Sequence, residues 1–333
     1  MKKLTTLLVM LLFTAGMAIG QSNTSTVTQN DGSNSATVNQ VGANNTNDLL
    51  QSTGNSYTLN QTGNSNLSNL RQVANGGNTA TVDQVGNRNT MSRSGGALQG
   101  TDNYLDVLQN GNDNYISLYQ DFKDHIANIV QMSNQNDAFV KQDAGGGSTA
   151  DLYQNGVNNS VDINQDGSGY HYVYFDQIGN NNIGETRQVG VDNYIEVEQN
   201  GNSNVATVDQ TVDDNTFWLT QNGSGNAVGE AGNAFQQDGS NNRFVGVRGN
   251  NNNIVLRTDL SALQTGGATL DPLSEQIGND HTIGLYQGAN DVALIQQFGG
   301  DNNTALLFQD GGGHSSDIVQ NGSNNTTHIN QRQ

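Results

Sequence analysis

The chain has 333 residues, with 41 glycines, one proline, no cysteine, 52 Asn and 31 Gln; charged residues make up 13% and the formal net charge is −19. Without cysteine there is no disulfide scaffold, no thiolate metal site and no cysteine nucleophile, and the acidic balance argues against a nucleic-acid partner. Only 33% of residues are hydrophobic, which with net negative charge is the compositional signature of disorder; the order of the residues decides against it.

Residues 1–20 read as a secretory signal peptide. Lys2 and Lys3 precede an apolar run centred on Leu7–Phe13, and Ala18 and Gly20 stand at −3 and −1 of a cut after Gly20. No later run approaches the ~20 apolar residues of a membrane helix. Loss of the two lysines takes the net charge to −21.

Residues 21–333 read as one repeat domain. Gln recurs at a step of mostly 11 residues from Gln29 through Gln40, Gln51, Gln120, Gln165 and Gln210 to Gln331. With the degenerate positions Gly95, Arg248 and Asp259 the register has 27 points. Disorder has no reason to keep a register over 300 residues. The unit is Q-x-G-x-x-N-x-a-x-a-x-Q, where a is usually apolar. From the Asn to the next Gln, alternate residues share one face, which is the period of a β-strand.

The inward Asn and Gln are expected to form amide ladders. They include Asn23, Asn34, Asn45, Asn114, Asn159, Asn204 and Asn325, with the Gln positions above. Each side-chain amide would donate to one coil and accept from the other. Val161 and Ile163, Ile195 and Val197, and Phe217 and Leu219 mark the apolar core. Glycines in the arcs between strands permit the backbone angles of a tight turn: Gly42, Gly63, Gly86, Gly111, Gly156, Gly179, Gly201, Gly223, Gly278 and Gly322.

A strand of about seven residues cannot bury its inner face alone, and stacking copies solves this. The expected fold is all-β: a β-solenoid, or cross-β stack, of about 13.5 two-stranded coils, 27 short strands at ~22 residues per coil and ~4.8 Å rise. The register is irregular near residues 95–102, 222–232 and 243–274, and Pro272, which cannot donate to a ladder, lies in the last of these.

A signal peptide followed by tandem units of this pattern resembles the curlin repeats of bacterial curli subunits. The resemblance covers residues 23–331. It implies a secreted subunit that self-assembles into functional amyloid fibres of an extracellular biofilm matrix, supporting adhesion and aggregation. Its implied partners are other copies of the chain, an outer-membrane secretion pore reached through the periplasm, a minor nucleator subunit, and host or abiotic surfaces. The alternative is a surface-bound nucleator or a non-polymerising β-solenoid adhesin. The chain departs from the familiar subunits in having many more than five repeats and only Gln21 and Ser22 between signal peptide and first repeat.

No catalytic, cofactor or metal site is read from the residues. His125, His171, His281 and His314 fall on the inward Asn position, where an imidazole replaces the amide; His328 faces outward. Asp213 and Asp214 lie in an arc as solvated charge, and the glycine runs at 145–147 and 311–313 lack the Lys and Ser/Thr of a phosphate loop. The terminal coils are expected to present open strand edges, a template for another chain.

Overall fold

A computed structural model describes residues 22–332 apart from 74–75, 93–97, 230–234, 239–242, 249–252, 256–262, 266–267, 271–273, 289 and 311. Residues 1–20, where the sequence predicts a signal peptide, and the positions Arg93, Gly95, Arg257, Asp259 and Pro272 lie outside the described residues.

Alternation of inward and outward residues shapes every regular strand. Tyr194–Asn200, for example, buries Ile195, Val197 and Gln199 and leaves the residues between them half-buried. Consecutive strands belong to opposite sheets, and each pairs in parallel with the strand two places on. Thus Thr24–Gln29 pairs with Thr46–Gln51, whereas Ser35–Val41 pairs with Ser56–Thr62. The chain is an all-β, two-sheet solenoid with its core between the sheets. The side chains of Leu49, Leu70, Ile116, Val161, Ile163, Val197 and Leu219 lie in that core.

Among the described residues there are 31 strands, 17 in one sheet (sheet I, which begins with Thr24–Gln29) and 14 in the other (sheet II, which begins with Ser35–Val41). Four strands are interrupted, each appearing as two pieces that stack on one neighbour: Thr90–Ser92 with Leu98–Gln99, Ala227–Val228 with Phe235–Asp238, Asn253–Val255 with Leu263–Thr265, and Thr269–Leu270 with Glu275–Gln276. Counting each interrupted strand once, sheet I has fourteen levels and sheet II thirteen, 27 in all. At ~4.8 Å per coil the stack is roughly 65 Å long.

The pairing corrects three register positions, two of them at interrupted strands. Gln99, not Gly95, pairs with Gln72, and Gln264, not Asp259, stands between Gln237 and Gln287. In both cases the strand breaks and resumes some residues later, so an 11-residue step stops short of the ladder. The third is a register shift in the pairing of Thr216–Asn222 with Arg243–Arg248. It sets Val247, rather than Arg248, opposite Gln221.

Candidate functional site: polar ladders and terminal strands

Gln stands at or near the end of each regular strand and points inward. Its Nε2 donates along the stack to Oε1 of the Gln one coil later. In sheet I this links Gln29 to Gln51, Gln51 to Gln72, and Gln120 through Gln142, Gln165, Gln188 and Gln210 to Gln237; it resumes from Gln287 through Gln309 to Gln331, at 2.7–3.3 Å. In sheet II Gln40 leads through Gln61, Gln84, Gln109, Gln131, Gln154, Gln177 and Gln199 to Gln221 at 2.7–3.0 Å.

Reading outward faces as solvent and inward faces as core misses a second bond of the same amide. The other Nε2 hydrogen crosses the core to a backbone carbonyl that opens the preceding strand. Gln51 reaches Ser35 O at 3.1 Å, Gln154 reaches Asp137 O at 3.0 Å and Gln199 reaches Ile183 O at 3.1 Å. Each Gln therefore ties successive coils together and also ties sheet I to sheet II.

The Asn residues act differently from the amide-on-amide ladder expected of them. Asn45 Oδ1 accepts the backbone N–H of Asn66 at 3.0 Å, and Asn45 Nδ2 donates to Gly63 O at 2.9 Å. Asn159 repeats this with Asn182 N and Gly179 O, and Asn204 with Asn226 N and Gly223 O. Asn114 accepts from Asn136 N and donates to Ser133 O. The Asn side chain is one methylene shorter than Gln and stands where an arc becomes a strand. There the nearest unsatisfied groups are the backbone of the next coil, which must be paired if buried. Direct side-chain pairs occur locally, as between Asn325 Nδ2 and Asn303 Oδ1 at 3.0 Å.

The arcs carry a further ladder at the third residue after Gln. Asn64, Asn87, Asn112 and Asn134 are joined side chain to side chain at 2.8–3.1 Å. Each Oδ1 also accepts the backbone N–H of the coil before: Asn64 N donates to Asn87, Asn87 N to Asn112 and Asn112 N to Asn134. Asp213 fills this position by accepting Val191 N at 2.9 Å. The signal was an excess of Asn, Asp and Ser directly after the arc glycine. The residue before most inward Asn is left-handed, as at Asn44 (φ 59°), Asp113 (φ 60°), Asn181 (φ 56°) and Asp214 (φ 56°). Asn and Asp tolerate that conformation best among non-glycine residues.

Gly63 (φ +118°) shows why the arcs need glycine: a Cβ there would lie 1.8 Å from the carbonyl oxygen of Gly86 in the next coil. Gly42, Gly156, Gly179 and Gly201 stack equally closely on the next arc glycine, and Gly111 on Ser133. Gly322, in the last arc, has nothing nearer than Asn325 Nδ2 at 3.7 Å.

Three of the four inward histidines are fully buried, at 0–1% exposure, and His314 is half-buried. His125 Nδ1 accepts Ser148 N and His281 Nδ1 accepts Asn303 N, both at 3.2 Å, the same backbone contact that Asn Oδ1 makes. His171, His281 and His314 place Nε2 3.1–3.2 Å from a carbonyl four or five residues back. Burial holds the His171 imidazolium below its ordinary range. Among the described residues no three His, Asp or Glu lie close enough together to hold a metal ion.

Among the described residues the terminal strands each pair on one side alone. Every residue of Thr24–Gln29 is exposed, and Thr326–Arg332 alternates exposed with half-buried. Because every Gln bond runs in one direction, the two end faces differ. At one face the Oε1 atoms of Gln29 and Gln40 accept no amide among the described residues, whereas each donates onward. At the other face Gln331 Nε2 donates only across the core, to Ser315 O, and Gln320 turns its second hydrogen to Thr327 Oγ1 at 3.1 Å. One face is short of donors, and at the other Gln331 keeps one Nε2 hydrogen unused among the described residues while Gln320 has both engaged, to Thr304 O and Thr327 Oγ1.

Two segments, residues 190–223 and 300–332, match the family model described as the curlin associated repeat. No curated protein matches the chain. Each matched segment holds three successive strands of the solenoid, Tyr194–Asn200, Val205–Gln210 and Thr216–Asn222 in one, and Thr304–Asp310, Ser315–Asn321 and Thr326–Arg332 in the other. The Gln, Asn and glycine contacts of those strands recur from coil to coil through the stack, so the curlin associated repeat matched in these two segments is built on the same contacts as the coils between them.

Proposed function

We propose that the chain is a structural subunit that polymerises end to end into extracellular curli-like fibres with the strands across the fibre axis. The observation that carries this reading is the complementarity of the two end faces. The Gln29 and Gln40 Oε1 acceptors at the first coil match the Nε2 groups of the last coil, where Gln331 has a hydrogen to spare and Gln320 can exchange its bond to Thr327 Oγ1, and both terminal strands of the described solenoid leave a parallel edge open. An open edge is a template for strand addition. The curlin-repeat match supports a structural role rather than an enzymatic one. Export after signal-peptide removal, passage through an outer-membrane pore, nucleation by a minor subunit, and service in adhesion and biofilm cohesion belong to the same proposal.

The test is the purified mature chain, incubated without denaturant. Fibres with a meridional reflection near 4.8 Å are expected. A chain that stays monomeric over days at tens of micromolar would overturn the reading.

A further inference from the structure

Resting on that reading, we propose that successive subunits in the fibre are related by a half-turn about its axis, so that sheet I of one molecule continues as sheet II of the next. The argument is parity. The described solenoid begins with Thr24–Gln29 in sheet I and ends with Thr326–Arg332, also in sheet I. It holds an odd number of strand levels, fourteen in sheet I and thirteen in sheet II. The next place open on the growing coil therefore lies over the penultimate strand, Ser315–Asn321, in sheet II.

Consider docking without the half-turn. The first strand of the incoming molecule would sit on Thr326–Arg332 and its second strand, Ser35–Val41, would belong over Ser315–Asn321. One level of sheet II would then be empty inside the fibre. The edge of Ser315–Asn321, with Ile318 2% and Gln320 3% exposed, would face a gap one strand high. Its backbone groups would be buried without partners, which is costly.

The half-turn fills every level. The incoming Thr24–Gln29 lies on Ser315–Asn321, and the incoming Ser35–Val41 on Thr326–Arg332. Gln29 Oε1 then takes the Gln320 Nε2 hydrogen that Thr327 Oγ1 accepts at the free end, and Gln40 Oε1 meets Gln331 Nε2, in the direction the other Gln–Gln bonds take. Val27 covers Ile318 and Val38 covers Ile329. The exchange is tolerated because both sheets use one inward pattern: Ser-x-Val-x-Gln in the first strand and Ala-x-Val-x-Gln in the second, against Ser-x-Ile-x-Gln and Thr-x-Ile-x-Gln at the other end. The fibre would then have a half-turn screw with a rise of roughly 65 Å.

The chain has no cysteine, so a pair of introduced thiols reports the junction. Thr28, Val319 and Asn330 all point outward and are exposed, each one residue before the Gln of its strand. Stacked strands bring Cα atoms within the range a disulfide spans. The Thr28→Cys/Val319→Cys double variant is expected to give a ladder of covalent multimers when its fibres are oxidised mildly. The Thr28→Cys/Asn330→Cys variant is expected to give fibres that stay monomeric in denaturing gels. A ladder from the second pair, from both pairs, or from neither in intact fibres overturns the half-turn while leaving polymerisation standing. Absence of fibres from the unaltered chain overturns polymerisation itself, and the half-turn with it. Helical reconstruction of unaltered fibres gives an independent reading: subunits related by translation alone would also refute the proposal.

Discussion

At the scale of single residues, the ladder positions are defined by which atoms donate. Asp291 occupies an Asn position, fully buried, and its Oδ1 accepts His314 N at 2.8 Å as an Asn would. Its Oδ2 has no hydrogen-bond partner among the described residues, whereas Asn303 uses Nδ2 at the same place to reach Gly322 O at 2.7 Å. Asp291→Asn supplies the missing donor, and a buried polar atom left unpaired costs about 1–3 kcal/mol. The variant is therefore expected to unfold at a higher urea concentration than the parent, by an amount on the order of 1 kcal/mol; a lower midpoint would refute this account of the Asn position. The arc glycines make the opposite case. Gly63→Ala puts a Cβ against the Gly86 carbonyl at a left-handed φ, whereas Gly32 has nothing within 4 Å of its would-be Cβ. Strain of this kind costs about 1–3 kcal/mol before the clash is counted. Gly63→Ala should thus destabilise strongly and Gly32→Ala hardly at all, as thermal unfolding of the two variants will show.

At the scale of the strand, each interior Gln is held on three sides. Gln154 accepts from Gln131, donates to Gln177 and donates across the core to Asp137 O, each at 3.0 Å. Gln154→Ala orphans all three partners, for a loss of about 3 kcal/mol or more. Coils interact only with their neighbours, so the damage should stay local. Hydrogen exchange is expected to quicken in Ile126–Met132, Thr149–Asn155 and Tyr172–Ile178 but not in Thr24–Gln29. Uniform acceleration along the chain would argue for a single cooperative unit. This local logic also explains what was legible beforehand. Gln and the apolar files such as Val161 and Ile163 were visible because an inward side chain in a strand must recur with period two and stack with period 22. The work of Asn was not visible, because the letter is the same whether the amide meets another amide or a backbone. Nor was the resumption of the ladder at Gln99 and Gln264. A fixed step cannot see that an interrupted strand keeps its place in space while its residue count grows.

At the scale of the whole molecule, stacking repeats the same outward positions every coil, so like charges are brought together. Burial, and then the nearby Glu185 and Asp137, push the Asp162 carboxyl up to about 6. Burial raises Asp106, with Asp83 adding to it, and raises Asp176, with Glu198 adding to it; burial also raises Asp137. A carboxyl whose folded value lies above its ordinary 3.8 binds protons preferentially in the folded state. For Asp162 the charged form destabilises the solenoid above about pH 6, and the penalty is relieved as pH falls from there toward the ordinary 3.8; the other three act in the same direction. His171 works in the other direction. Its folded value is depressed by burial, so stability is lost as pH falls below the ordinary histidine range and the ring must charge. Four carboxylates stand against this one histidine, so the thermal midpoint is expected to be higher at pH 5 than at pH 7.5. Asp162→Asn should remove part of that difference, and His171→Asn should enlarge it. Added salt screens exposed charges within about 10 Å at 0.1 M, and at pH 7.5 it should raise the midpoint and shorten the lag before fibres appear. The salt effect should shrink at pH 5, where fewer of the stacked carboxylates remain charged. If salt acted equally at both values, the brake on stacking would not be carboxylate repulsion.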